Sequence, residues 1–342
     1  MKEEDKTFIL KNNLGLLDTS YYEEDRIEIF EYFQKKFEIL INSNSKIYNM
    51  NPIIFFINDR LSCNAFAQRI DNRNVISINQ GYPIIMNSKF TNKLFDDIIF
   101  AAFLNEKDVS DAFTDLYESN DFQFSEYMLD CSIQFTFYHE FRHIRQFDEM
   151  HGKSDLFLSE SFSVQEFDFR KHIWEYDADK SAAHQVVLYV LSIHRKLGYK
   201  SKAILKCLLF SALSSLIITK YLFYFGLISQ ISPPYKIDIS NFYTKKNWHP
   251  HPTVSAMNIF DSFNLSIEDG LPNLGINTQD LLTNSLYIAK LYFKILLPEY
   301  DVEKLISENM FSHINEANQY NDLLHQYALT DSAIKKLIKN KI

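Results

Sequence analysis

Glycine and proline are scarce in this 342-residue chain, at 7 and 8 residues. That scarcity speaks against disordered or low-complexity stretches and leaves no Gly/Ser-rich or Pro-rich linker to mark a domain boundary. No segment recurs at a fixed period. Cysteine is rarer still: Cys63, Cys131 and Cys207 are odd in number and far apart, which excludes a readable disulfide framework or a CxxC metal knuckle. They are expected to be reduced core residues of a cytosolic protein. The N-terminus, MKEEDKTFILKNN, is charged from its second residue and lacks the apolar run of a secretory signal, so the expected location is the cytoplasm. A basic excess is missing too. With 35 Lys and Arg against 44 Asp and Glu, the net charge is -9, and no concentrated basic surface is advertised for nucleic-acid phosphates; the tail KKLIKNKI is too short to reverse this.

What is present fits a folded chain. Hydrophobic residues make up 46% and charged residues 23%, and the length allows a sizeable core in one large domain or two ordinary ones. Ile27, Phe30, Phe33, Phe37 and Leu40 recur three or four apart, predicting an amphipathic helix over 21–41. NPIIFFIND (51–59) and NVISINQG (74–81) read as strands, with CNAFAQ (63–68) between them. The acidic stretch 105–121 reads as a solvated face or loop, since the fixed glycine and terminal glutamate of an EF-hand loop are missing. A long helix is predicted from Ser125, as N-cap, to about Met150, with His151-Gly152 as stop. Another is predicted from Ser163, whose Glu166 completes a capping box, to Gly198. Residues 207–231 are apolar over a length that suits a membrane span, but Lys220 sits near the middle, where it costs roughly 3 kcal/mol on insertion. Ser211, Ser214, Ser215 and Thr219 share one helical face, so a buried packing helix is the preferred reading and membrane contact the less favoured one. Pro252 can open a helix, and the chain from Gln279 onward is helical, broken near Pro298. These elements predict an α+β, mainly helical fold: an N-terminal helical segment (1–50), a catalytic segment (51–262) and a C-terminal helical segment (263–342), all within one domain or divided between two.

The chemistry lies in HEFRH, residues His139 to His143. On a helix, residues four apart stand one above the other, so both imidazoles can reach one ion while Glu140 faces a water held there. The bare spacing arises by chance in about 2% of chains of this composition, so context matters. Ile133, Phe137, Phe141, Ile144 and Phe147 surround it with a helical apolar pattern. WEYDAD, 174–179, offers a third ligand in Glu175 on the next helix. Asp179, one turn on, is placed to accept from the outer nitrogen of a ligand histidine.

HEFRH followed by EYDAD resembles the zincin metallopeptidases whose third ligand is a glutamate, the gluzincins, in which E-x-x-A-D follows the HExxH helix. The strand before NAFA (Asn64, Ala65, Phe66, Ala67) and the strand after it resemble the small sheet that roofs the cleft in those enzymes. HPHP, His249 to Pro252, resembles the His-Pro element of phage-exclusion Lit-type peptidases and, more loosely, of heat-shock and CAAX-type membrane zincins. Those relatives carry an arginine soon after this element; here the sequence reads TVSAMNIF. The resemblance spans roughly 53–259.

It implies a zincin-like fold, with the small sheet packed on the HExxH helix and extra C-terminal helices. It also implies Zn2+ held by His139, His143 and Glu175, with Glu140 as general base for hydrolysis of a protein or peptide substrate. His249 or His251 is expected to stabilise the developing oxyanion, with Tyr243 a weaker option. Asn64 to Ala67, if an edge strand, would pair with an extended substrate; a tight turn is the competing reading. The Lit-type likeness implies a conditionally active protease that cleaves a host protein during phage infection. Competing expectations are a regulator that keeps the fold and metal without turnover, and a membrane-embedded protease built on 207–231.

Overall fold

The two β-forming runs lie side by side. Ile53–Asn58 (β1) pairs in parallel with Arg73–Asn79 (β3), while Ala65–Ile70 (β2), between them in sequence, runs antiparallel on the far side of β3. The protein is seen in a computed structural model that describes residues 1–90, 98, 102, 107–118, 122–150, 156–159, 167–198, 201–225, 242–246, 249–296, 298 and 304–339. A short strand, Leu156–Ser159 (β4), pairs with the remaining side of β2 and completes the order β1-β3-β2-β4. Asn64 to Ala67 thus enters a strand and not a tight turn. The expectation of an edge position is corrected, because Phe66 and Ala67 pair with Ser159 and Leu158. The LFLS segment satisfies backbone groups that an open β2 would leave to solvent.

Helices make up most of the rest. Glu3–Lys11 (α1) and Glu24–Ile47 (α2) precede the sheet; Gly81–Phe90 (α3), Lys107–Glu118 (α4) and Phe124–Asp148 (α5) follow it. After β4 come Phe169–Leu197 (α6), Lys202–Phe225 (α7), Pro252–Gly270 (α8) and Thr278–Leu296 (α9). A π-helical stretch, Lys304–Glu308, and one turn, Asn309–Ser312, lead into Ile314–Ala328 (α10) and Ser332–Lys339 (α11).

One face of the sheet carries Ala65, Ala67, Ile76, Ile78, Phe55 and Ile57 into the main core, where α5 contributes Phe137, Phe141 and Ile144. The other face packs Ile54, Phe56 and Val75 under Phe8 and Ile9 of α1. The main core is continuous from Phe30 on α2 to Ile334 on α11, so the three expected segments share one interior. The acidic stretch forms α4, which buries Val109, Ala112, Phe113 and Leu116. All three cysteines are free and buried.

Helix ends show where local signals compete. Ser125 lies inside the first turn of α5, whose N-cap is Gln123 with no capping side chain. The proposed capping box at Ser163 and Glu166, and the His151-Gly152 stop, lie outside the described residues. The N-cap seen at α6 is Asp168, which accepts from the backbone of Arg170 and Lys171, and Gly198 ends the helix at φ 72° as expected.

The apolar helix α7 is a core element. Lys202–Tyr224 is long and apolar enough to cross a membrane, with mean hydropathy 1.7, yet 83% of that window is buried inside the protein. Its small face packs on α5: Ser215 donates to the Met128 carbonyl, Thr219 to Ser132 Oγ, and Tyr127 of α5 returns a bond to the Leu208 carbonyl. Residues 226–231 of the apolar run lie outside the described residues.

At the junction of β3 and α3, a Cβ on Gly81 would stand 2.0 Å from the Leu61 carbonyl oxygen. Backbone cannot withdraw as a flexible side chain would, so overpacking here is costly. Gly81→Ala is expected to destabilise the fold by about 3 kcal/mol. Urea unfolding of the two proteins checks it, and an unshifted midpoint refutes the close approach.

Candidate metal centre

The site grows from one helical turn. His139 and His143 lie four apart on α5 and their rings meet at 4.7 Å between centroids, with the two Nε2 atoms 2.9 Å apart. Glu175 on α6 closes the triangle: its Oε2 is 3.3 Å from His139 Nε2 and its Oε1 is 3.3 Å from His143 Nε2. All three side chains are 1% exposed. Among the described residues, this is the group of His, Cys, Asp and Glu whose donor atoms converge closely enough to hold a metal ion.

The outer side of each ring decides what the inner side offers. His143 Nδ1 lies 2.8 Å from Gln146 Oε1, an acceptor that fixes the ring proton outward. Gln146 is itself oriented, because its Nε2 donates to the Trp174 carbonyl at 3.1 Å and to Asp177 Oδ2 at 2.9 Å. Asp177 is gripped in turn by Arg142, Nε to Oδ2 at 2.7 Å and Nη2 to Oδ1 at 2.9 Å. His139 Nδ1 lies 2.9 Å from Asp179 Oδ1, close to the carboxylate though not in hydrogen-bonding alignment with it. Both Nε2 atoms face inward, toward each other and toward a carboxylate, and the acceptors behind the rings favour the tautomers that leave those nitrogens unprotonated.

Burial would raise the Glu175 carboxyl, but the neighbouring His249, His143 and His139 rings hold it well below the usual carboxylate range. Neither of its oxygens, both buried, receives a hydrogen bond of good geometry. An inward cluster of acceptors without donors is unfavourable in a dry interior and favourable around a cation. Tetrahedral ligands at about 2.0–2.1 Å from zinc stand about 3.3 Å from one another, and the separations here are 2.9, 3.3 and 3.3 Å. The residues fit a metal ion.

Glu140, 1% exposed, is the next residue round α5 from His139. His249 and His251, equal candidates in the sequence, separate in space. His249 Nδ1 lies 3.4 Å from Glu175 Oε2, beside the cluster. His251 is the N-cap of α8: its Nδ1 accepts from the Thr253 N–H at 3.1 Å, and Phe242 and Tyr243 pack on its ring with centroids 5.1 and 5.0 Å away. Pro252 then occupies the first helical turn, as expected. Ala65 and Ala67 lie in the core on the sheet face that α5 packs against, and the Asn64 carbonyl accepts from the Asn79 N–H. Of the histidines given no role, His172 is buried against Tyr320 Oη at 2.9 Å and His151 lies outside the described residues.

Four side chains in the surroundings were not singled out for a role: Arg142, Gln146, Asp177 and Lys220. Gln146 had a usable signal, one turn beyond His143. Lys220 had a stronger one, a lone charge in an apolar helix; its Nζ lies 3.1 Å from Asp179 Oδ1. Set against family models, curated proteins and solved structures, the chain shows no significant match.

Burial, with a smaller contribution from His313, lowers the His251 pKa from 6.5 to about 3. Between those values the unfolded chain binds a proton that the folded one refuses, so this residue's contribution is complete above 6.5 and is lost as pH falls toward 3. The slope approaches about 1.4 kcal/mol per pH unit. His251→Asn keeps a capping acceptor and removes the titration. Urea midpoints measured from pH 7 to pH 4 are expected to fall less steeply for the variant, and parallel curves would contradict the buried neutral ring.

Proposed function

We propose that this chain is a zinc-dependent endopeptidase with a zincin-like arrangement of sheet and paired helices, acting on an intracellular protein. The observation that carries the reading is the meeting of two inward imidazole nitrogens, 2.9 Å apart, with a carboxylate that sets one oxygen 3.3 Å from each, and a glutamate directly after the first histidine. His139, His143 and Glu175 would hold the ion, and three protein ligands leave a fourth position for water or substrate, as hydrolytic sites require. When bound, zinc supplies Lewis acidity that lets a water ionise near neutral pH.

The chain's own residues supply the rest. Glu140 takes a proton from the attacking water on its carboxylate and returns it to the leaving amine, a role for which its position beside His139 suits it. His249, with one ring nitrogen turned to Glu175, is placed to donate toward the carbonyl oxygen as charge grows there. His251 is assigned to the helix cap instead. Gln146 and Asp179 hold the two ligand rings with their protons outward, which keeps the inward nitrogens available. On the Lit-type likeness, the substrate is a host protein cleaved during phage infection.

Metal analysis of the purified chain is expected to give one zinc per molecule, lost in His143→Ala and Glu175→Ala. Glu140→Gln is expected to keep its zinc and lose at least about 100-fold in proteolysis. Undiminished cleavage by that variant would sink the assignment of the base. A chain that binds zinc, cleaves nothing and engages partners equally well with Glu140 altered would instead be a regulator on this fold.

A further inference from the structure

The helix that composition makes a membrane candidate brings one charge into the core. Lys220 stands in the C-terminal third of α7 and is 7% exposed, between Ile217 and Ile218 on one side and Tyr221 and Leu222 on the other, all of them buried. An ammonium in such surroundings costs several kcal/mol unless it is paired. Its partners belong to the metal centre. Nζ lies 3.1 Å from Asp179 Oδ1 and 3.8 Å from Glu175 Oε2. The same Asp179 oxygen stands 2.9 Å from His139 Nδ1, so one carboxylate oxygen lies between a fixed cation and the outer nitrogen of a ligand ring.

We propose that Lys220 is a positioning residue for the metal centre. Its ammonium fixes the Asp179 carboxylate in the one orientation that holds the His139 proton on Nδ1, and so keeps the Nε2 lone pair turned toward the ion. This rests on the metal-centre reading and extends it to α7, a helix that carries none of the assigned ligands. Without the ammonium, the one polar neighbour left to Asp179 among the described residues is the ring, from which the carboxylate can turn away. Outer partners of this kind are worth 10- to 100-fold in metal affinity. A Lys placed only to fill space would not need to meet the carboxylate that orients a ligand.

The test is zinc affinity, read by competition with a chromophoric chelator on the full chain. Lys220→Met is expected to weaken binding about tenfold, with Lys220→Arg restoring most of it because the guanidinium still donates to Asp179. Since Lys220 acts through Asp179, adding Lys220→Met to Asp179→Asn is expected to change affinity by less than about twofold. A purely structural role would give the same loss in both backgrounds. Should Lys220→Met fail to fold, Asp179→Asn and the double variant carry the test alone, because neither leaves a carboxylate at 179. Unchanged affinity in Lys220→Met overturns the proposal, as does tighter binding, which would mark the ammonium as a competitor of the metal. A wild-type chain that binds no zinc overturns the metal-centre reading as well, whereas tight wild-type binding with an indifferent Lys220 overturns this inference only.

Discussion

Three acceptor groups face one another in the buried interior, and the surrounding structure is organised around that conflict. Two imidazole nitrogens 2.9 Å apart and a carboxylate within 3.3 Å of each would repel if nothing lay between them. Each is nonetheless held in place from behind. The fold spends buried polar contacts on maintaining an arrangement that lowers no energy of its own, which is how sites that bind cations differ from ordinary core.

The restraints come from different directions and have different strengths. His143 is fixed by a chain running through Gln146 to Asp177 and Arg142, and the last pair is a bidentate ion pair in the interior. Fork-to-carboxylate geometry is directional, so this chain sets rotation as well as distance. It also joins α5 to α6, since Arg142 and Gln146 stand on one helix and Asp177 on the other. Behind His139 stands the Asp179 carboxylate, which also neighbours Lys220 on α7. The ligand triangle therefore depends on three helices, and α8 is tied to the same layer where Asn258 donates to the Tyr176 carbonyl next to Glu175.

Much of this was legible in the sequence because helices have a fixed period. The i,i+4 histidines, the glutamate between them and the turn from Glu175 to Asp179 follow from 3.6 residues per turn, and an apolar pattern around HEFRH announced burial. What stayed hidden depends on geometry without a period. His249 and His251 lie in a His-Pro loop, where nothing in the spacing says which ring faces inward; the structure shows that one became a helix cap because a proline follows it at the first helical position. For Asn64 to Ala67 the sequence leaves an edge strand and a tight turn both open, and it does not reveal the interior strand that Ala65 begins, since the partner strand β4 lies some ninety residues away in sequence and is only four residues long. Nothing in the spacing sets Arg142 and Asp177 apart from the solvated charges that most charges near a helix surface are.

The apolar helix shows the same limit from the other side. Window hydropathy cannot distinguish a span in lipid from the central helix of a globular core, because both exclude water from an entire helix. The lysine separates them on physical grounds. In lipid its charge would have to escape toward an interface or find a partner on another span. In α7 it points at two carboxylates that need a counter-charge, and the serines and threonine on the same helix find their acceptors on its own carbonyls and on α5. The serines, the threonine and the lysine that make the segment a poor membrane span have partners inside this core, and the most costly of them is the one nearest the site.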